Sequence, residues 1–201
     1  MKIKILLMLS AIFLLSCNTV LKTIYGIKKP DIENKTTIHK KAHKLGLDTS
    51  NIVTVNGKDF LYVLQEKGIP DADIFDKNGR YIEYRLNDSS CNAGLFDFIP
   101  SLNLTQSYHQ PDSADLPTQL KKFRDIYGNA LPPIDQADFY VLIYWTAWSG
   151  RLNKDHVKIW EKQANDNKNC KIKVLKVNLD FQEYWDKTEM DRVLRAVSRK
   201  K

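Results

Sequence analysis

Few side chains in this chain can do covalent chemistry, and their spacing is the first constraint on what it does. Three thiols are present, Cys17, Cys91 and Cys170, and none is spaced as CxxC. A thiol pair that exchanges disulfides needs one thiolate to attack and a second close by to resolve. Cys91 and Cys170 lie far apart in sequence. They suit a structural disulfide in an oxidising compartment, or equally two buried free thiols. His39 and His43 stand four apart, so a helix puts them on one face, where two histidines can share a metal. Lys40, Lys41 and Lys44 surround them and no acidic ligand is near, so a solvated basic face is expected and no metal is assigned. Ser149 and His156 are two helical turns apart, beyond hydrogen-bond reach. No glycine-rich phosphate loop occurs, and no cofactor is expected.

Cys17 has a different context. Lys2 and Lys4 precede an apolar run, Ile5 to Leu15, interrupted only by Ser10. The run is shorter than the roughly 20 residues needed to span a bilayer and suits the core of an export signal. It leads into Leu14-Leu15-Ser16-Cys17. This resembles the lipobox of bacterial lipoproteins. The resemblance implies lipid on the Cys17 thiol, cleavage after Ser16, and residence in the cell envelope on a bacterial membrane. Two or more acyl chains hold a protein stably, whereas one holds it weakly. Asn18 to Lys35 then reads as a tether.

The 201 residues carry 43% hydrophobic and 27% charged residues and a net charge of +7. This is a globular composition with enough apolar content for one core. The basic surplus is spread along the chain without a nucleic-acid motif, so no nucleic-acid partner is expected. The expected division is a signal at 1–16, a lipidated cysteine and tether with a short helix at 17–50, and an α/β domain at 51–201.

Patterning predicts helices at 34–45, 58–67, 92–99, 115–127, 151–164 and 184–197. Gly46, Gly68 and Gly128 stand at three of their ends. A hairpin is expected from strands 72–76 and 80–86 around the Asn78-Gly79 turn. Residues 103–114 lack any period and read as a loop. Phe139 to Trp145 is continuously apolar, FYVLIYW, as in a strand buried on both faces. With the helix at 151–164 and a strand at 171–179 it forms a βαβ unit, whose two strands run parallel.

The run Tyr144-Trp145-Thr146-Ala147-Trp148-Ser149-Gly150-Arg151-Leu152 resembles the thioredoxin family. There an apolar strand enters W-A-x-W-C-x-x-C, a helix follows, and the next strand ends in an acidic residue, here Asp180. The match covers residues 139–180. Ser149 and Leu152 stand where the family has its two cysteines, around Gly150 and after Trp148. A serine without an adjacent base cannot supply a low-pKa nucleophile, and leucine cannot resolve a disulfide. A second piece, Gly68-Ile69-Pro70 with the hairpin and short helix after it, resembles the family's last third, where a cis-proline precedes a hairpin. In this chain it comes before the βαβ unit.

These resemblances imply a three-layer, thioredoxin-like α/β sandwich, circularly permuted, around a central mixed sheet of four strands. Strand 139–145 is central, 171–179 parallel to it, 72–76 antiparallel on its other side, and 80–86 at the edge. Pro70 is cis, beside the Trp148-Ser149 turn. The free N–H groups of the helix starting near Arg151 point there and leave an anion-friendly pocket. The implied function is a redox-inactive, membrane-anchored binding or structural module with an envelope protein as partner. The alternative is a thiol–disulfide oxidoreductase using Cys91 and Cys170.

Overall fold

The computed structural model describes residues 22–85, 91–112 and 115–198. The signal and Cys17 lie outside these residues, as does the end of the second hairpin strand. After a helical turn at residues 22–25 come β1 (Ile32–Glu33), α1 (Lys35–Leu45), β2 (Ile52–Val55), α2 (Gly57–Glu66), β3 (Asp71–Asp76), β4 (Tyr81–Ile82) and α3 (Leu95–Ser101). The second half contains α4 (Leu116–Lys121), β5 (Phe123–Arg124), β6 (Phe139–Trp145), α5 (Lys158–Asp166), β7 (Ile172–Asn178), β8 (Phe181–Gln182) and α6 (Lys187–Ser198).

The molecule is a mixed α/β fold with a central mixed sheet flanked by helices. Sheet order is β4-β3-β6-β7-β2-β5. β6 runs parallel to β7 over its whole length and antiparallel to β3, with Asp71 opposite Tyr144 and Asp76 opposite Phe139. β6 is buried throughout, as its uninterrupted apolar run requires. Alternate side chains feed two cores. Phe139, Val141, Ile143 and Trp145 pack with α1, α3 and α5. Tyr140, Leu142 and Tyr144 pack with α2, α4 and α6. A period-2 strand between two helical layers gives this division.

The sheet has six strands rather than the four expected. β2 joins parallel to β7, and β5 joins antiparallel to β2. β5 also shortens the helix expected at 115–127. That helix stops at Lys121, Phe123 and Arg124 pair with Val55 and Thr54, and Gly128 ends a turn. Sheet pairing and full burial of Phe123 outweigh helical propensity over those residues. α1 is not an appendage. Ile38 and Ala42 are fully buried in the first core, and β1 pairs in parallel with β8 as a separate two-stranded sheet. Asn34 caps α1 by accepting the Thr37 N–H, and Thr37 returns the bond to the Asn34 N–H, a reciprocal arrangement that settles two free donors.

Candidate functional site

The C-terminal end of β6 leads into the turn that sequence singled out. Trp145 is fully buried; Thr146 and Ser149 are also buried. Residues 147–149 form a 3-10 turn and Gly150 takes φ 59°, ψ −125°, a backbone region that favours glycine. The Ser149 hydroxyl donates to the Thr146 carbonyl at 2.9 Å and stands 3.2 Å from Asn153 Oδ1. Asn153, itself fully buried, donates to the Thr146 and Gly150 carbonyls. Ser149 is therefore a structural residue, bonded into the turn and 1% exposed. Trp148 is half-buried and Leu152 intermediate.

The helix after the turn starts with a π-helical stretch, Asn153–Val157. Its first N–H groups do not face an open pocket, contrary to expectation. Arg151 N–H donates to the Tyr25 carbonyl at 2.7 Å, and the Asn153 and Lys154 N–H groups are taken by Gly150 and Arg151 carbonyls. Residues 25–28 lie across the turn. Lys28 N–H donates to the Trp148 carbonyl at 2.9 Å, and a Cβ at Gly150 would run into the carbonyls of Tyr25 and Gly26. No local pattern foretold this contact, because it joins segments more than a hundred residues apart. His156 packs against the rings of Phe96 and Trp160 at 5.5 and 5.4 Å.

Beneath the turn lies a polar cluster that sequence reading missed except for Asp180. Asp180 Oδ2 accepts the Ala147 N–H at 2.7 Å and an Asn178 side-chain N–H at 2.6 Å. Gln182 donates to Asn178 Oδ1 and to the Asp180 carbonyl. Glu33, 1% exposed, pairs with Lys41. Burial pushes the Asp180 carboxyl up to about 7, against the opposing effect of the Ala147 and Asn178 donors.

Pro70 follows a cis Ile69–Pro70 bond. It precedes Asp71, whose partner is Tyr144, so Pro70 lies level with Trp145 at this same end of the sheet. Its carbonyl accepts from the Asn92 side chain, which brings the exposed Cys91 to this end. Cys170 lies at the other end, just before Ile172, the partner of Phe139. Its thiol donates to the Leu102 carbonyl at 3.3 Å, and burial, then Asp138, push it up. Both cysteines are free, so the disulfide between them is not formed.

A cleft of about 850 Å³ opens between residues 23–31, α1 and the turn at 147–154. Tyr25, Trp148 and Leu45 supply apolar surface, and Lys28, Lys29, Lys44, Arg151 and Lys154 supply positive charge. Among the described residues no helix is long and apolar enough to cross a membrane, and no group of three or more His, Cys, Asp or Glu could hold a metal ion. No family model, curated protein or solved structure matches this chain.

Proposed function

We propose that this chain is an envelope lipoprotein, anchored through lipid on Cys17, whose domain is a redox-inactive, circularly permuted thioredoxin-like module that works by binding or holding a protein partner. The observation that carries the reading is the state of the turn after β6. Where the family keeps a reactive thiol, Ser149 is buried and hydrogen-bonded to Thr146 and Asn153. Where the family keeps the resolving thiol stands Leu152. The chain's own residues 25–28 cover the turn's backbone. A group that is buried, bonded and covered cannot attack a disulfide.

Topology supports the permutation. The order β4-β3-β6-β7, with a hairpin antiparallel to β6 and β7 parallel to it, is that of the family's core. α3 and α5 lie on one face and α2 and α6 on the other. The hairpin and α3 come before β6 in the chain, whereas the family has them after. The oxidoreductase alternative has less support. Its two thiols sit at opposite ends of the sheet, and burial shifts Cys170 away from thiolate.

Two experiments test the proposal. With a thiol donor present, the purified protein is expected to leave insulin unreduced, and measurable reduction overturns the inactive reading. Labelled palmitate is expected to enter the wild type and not Cys17→Ala, which accumulates as uncleaved precursor. Label in the variant removes the anchor.

A further inference from the structure

We propose that the cleft beside the Trp148 turn is a docking site for the headgroups of anionic phospholipids in the membrane that holds the Cys17 anchor. The inference rests on the lipoprotein reading for its geometry, and on the cleft itself for its chemistry.

Charge comes first. Six basic residues and two acidic ones line the cleft, a local surplus of four positive charges in a chain whose net charge is +7. One acid, Glu33, is buried and neutralised by Lys41, which also reaches Asp31 at 3.9 Å. Arg151 pairs with Asp155 at 3.3 Å. Lys28, Lys29, Lys44 and Lys154 have no ion pair among the described residues. Basic residues gathered near a membrane surface are attracted by its anionic lipids.

Apolar character comes second. Ile24 lies on the rim with 57% of its surface exposed, and Tyr25 and Trp148 flank it. Aromatic rings with a polar edge favour the headgroup level of a bilayer, and a mixed rim of such rings and lysines is the composition of an interfacial surface rather than of a soluble-ligand pocket.

Distance comes third. Residues 18–24 separate Cys17 from Tyr25, and fully extended they span at most about 25 Å. The helical turn at 22–25 shortens this reach. Tyr25 and Lys28 are bonded directly to the Trp148 turn, so the leash ends on the cleft and brings this face toward the lipid.

Trp148 provides the readout. Trp145 and Trp160 are fully buried and Trp185 is 6% exposed, so Trp148 is the indole that bilayer lipids can reach. The protein purified from cells is placed on vesicles whose chains carry bromine, a quencher of indole emission. One set contains phosphatidylglycerol and the other only phosphatidylcholine. Quenching is expected to be stronger with phosphatidylglycerol and to weaken with added salt. Lys44→Gln with Lys154→Gln is expected to lower the ratio of docked to undocked domain roughly fivefold per charge removed, about 1 kcal/mol each. Lys77→Gln with Lys168→Gln, exposed at the opposite end of the sheet, is expected to change nothing. Equal quenching on both vesicle types, or equal loss in both variant pairs, overturns the proposal. So does an equal Trp148 response to inorganic phosphate without vesicles, which makes the cleft a soluble-anion site. Palmitate labelling is run alongside. Label without phosphatidylglycerol dependence removes the docking site and leaves the anchor; dependence without label removes the anchor and leaves the docking site.

Discussion

At the hairpin end of the sheet, Asp76 accepts the N–H groups of Asn78 and Arg80 and the side chains of Arg80 and Gln110. At the other end, Thr146, Ser149, Asn153, Asn178, Asp180 and Gln182 are all buried, and several of their oxygens accept nothing from the protein. Thr146 Oγ1, Asp180 Oδ1 and Gln182 Oε1 are among these, and Oε2 of the buried Glu33 is in the same state. The two aspartates titrate in opposite directions as a result. Burial pushes Asp76 up, but the Gln110 and Arg80 donors outweigh it and hold the carboxyl below the usual range. Asp180 is buried more deeply with fewer donors, and burial wins, at about 7. At the hairpin turn the Asp76 carboxyl is satisfied by its own turn and by Gln110. The Trp148 end keeps polar groups inside at a loss of stability, and such local violations concentrate where function resides.

Three sets of substitutions probe this difference between the two ends. The largest effect is expected at the buried pair of Lys176, on β7, with Glu161, on α5. Lys176→Met alone leaves a buried carboxylate without its partner and is expected to cost about 3–5 kcal/mol in denaturant unfolding. Lys176→Met with Glu161→Leu is expected to recover most of that loss. A small effect of the single change would show that the polar interior on this side is not dry.

Next comes pH. The folded Asp180 carboxyl, at about 7, lies above its unfolded value of about 3.9. Between these values the folded state binds the extra proton, so stability falls as pH rises from about 4 to about 7, by about 2–4 kcal/mol in total. Asp180→Asn is expected to flatten this fall. Asp76 has the opposite sign: its folded value is depressed, so its contribution is present above the unfolded value and disappears as pH falls through the folded one. Asp76→Asn is expected to remove that acid-side loss and leave the neutral-range slope intact. Stability against pH is measured for both variants, and identical profiles would erase the contrast between the two carboxyls.

The smallest effect separates two glycines of positive φ, Gly79 and Gly150. At Gly79 an added Cβ meets the Pro117 ring at 3.2 Å, a contact that a shift of a few tenths of an ångström relieves. At Gly150 it overlaps the backbone carbonyls of Tyr25 and Gly26, so that segment must move away. Each alanine variant is expected to cost about 1–3 kcal/mol for its backbone conformation. Only Gly150→Ala is expected also to free residues 22–30, read as faster trypsin cleavage after Lys28.

Much of the frame was legible because it is local. FYVLIYW could only be a strand buried on both faces, and Asn78-Gly79 between two short runs could only be a tight reversal. The strand β2 escaped notice because Ile52-Val53-Thr54-Val55 is four residues long, too short for a period to declare itself. The helix over-extended to Tyr127 failed for a related reason. Phe123 and Ile126 keep a helical spacing from Leu120, and only pairing with β2 makes Phe123 and Arg124 a strand. At the site, the turn itself could be found from Trp145, Trp148 and Ser149. Asn153, Gln182 and Glu33 could not, since polar residues in isolation read as surface.

Local sequence sufficed for the alternation of helices and strands, the central position of β6, the hairpin at Asn78-Gly79 and the absence of CxxC from the turn. These depend on side-chain period, turn chemistry and residue type, which act over a few positions. Long-range packing alone settled that β2 and β5 extend the sheet, that Cys91 and Cys170 lie at opposite ends, and that residues 25–28 cover the Trp148 turn. It also decided which lysines share one cleft. The reason is physical: hydrogen bonds between distant segments, and the burial of charge, depend on which surfaces meet once both cores have formed, and no window of neighbouring residues contains that information.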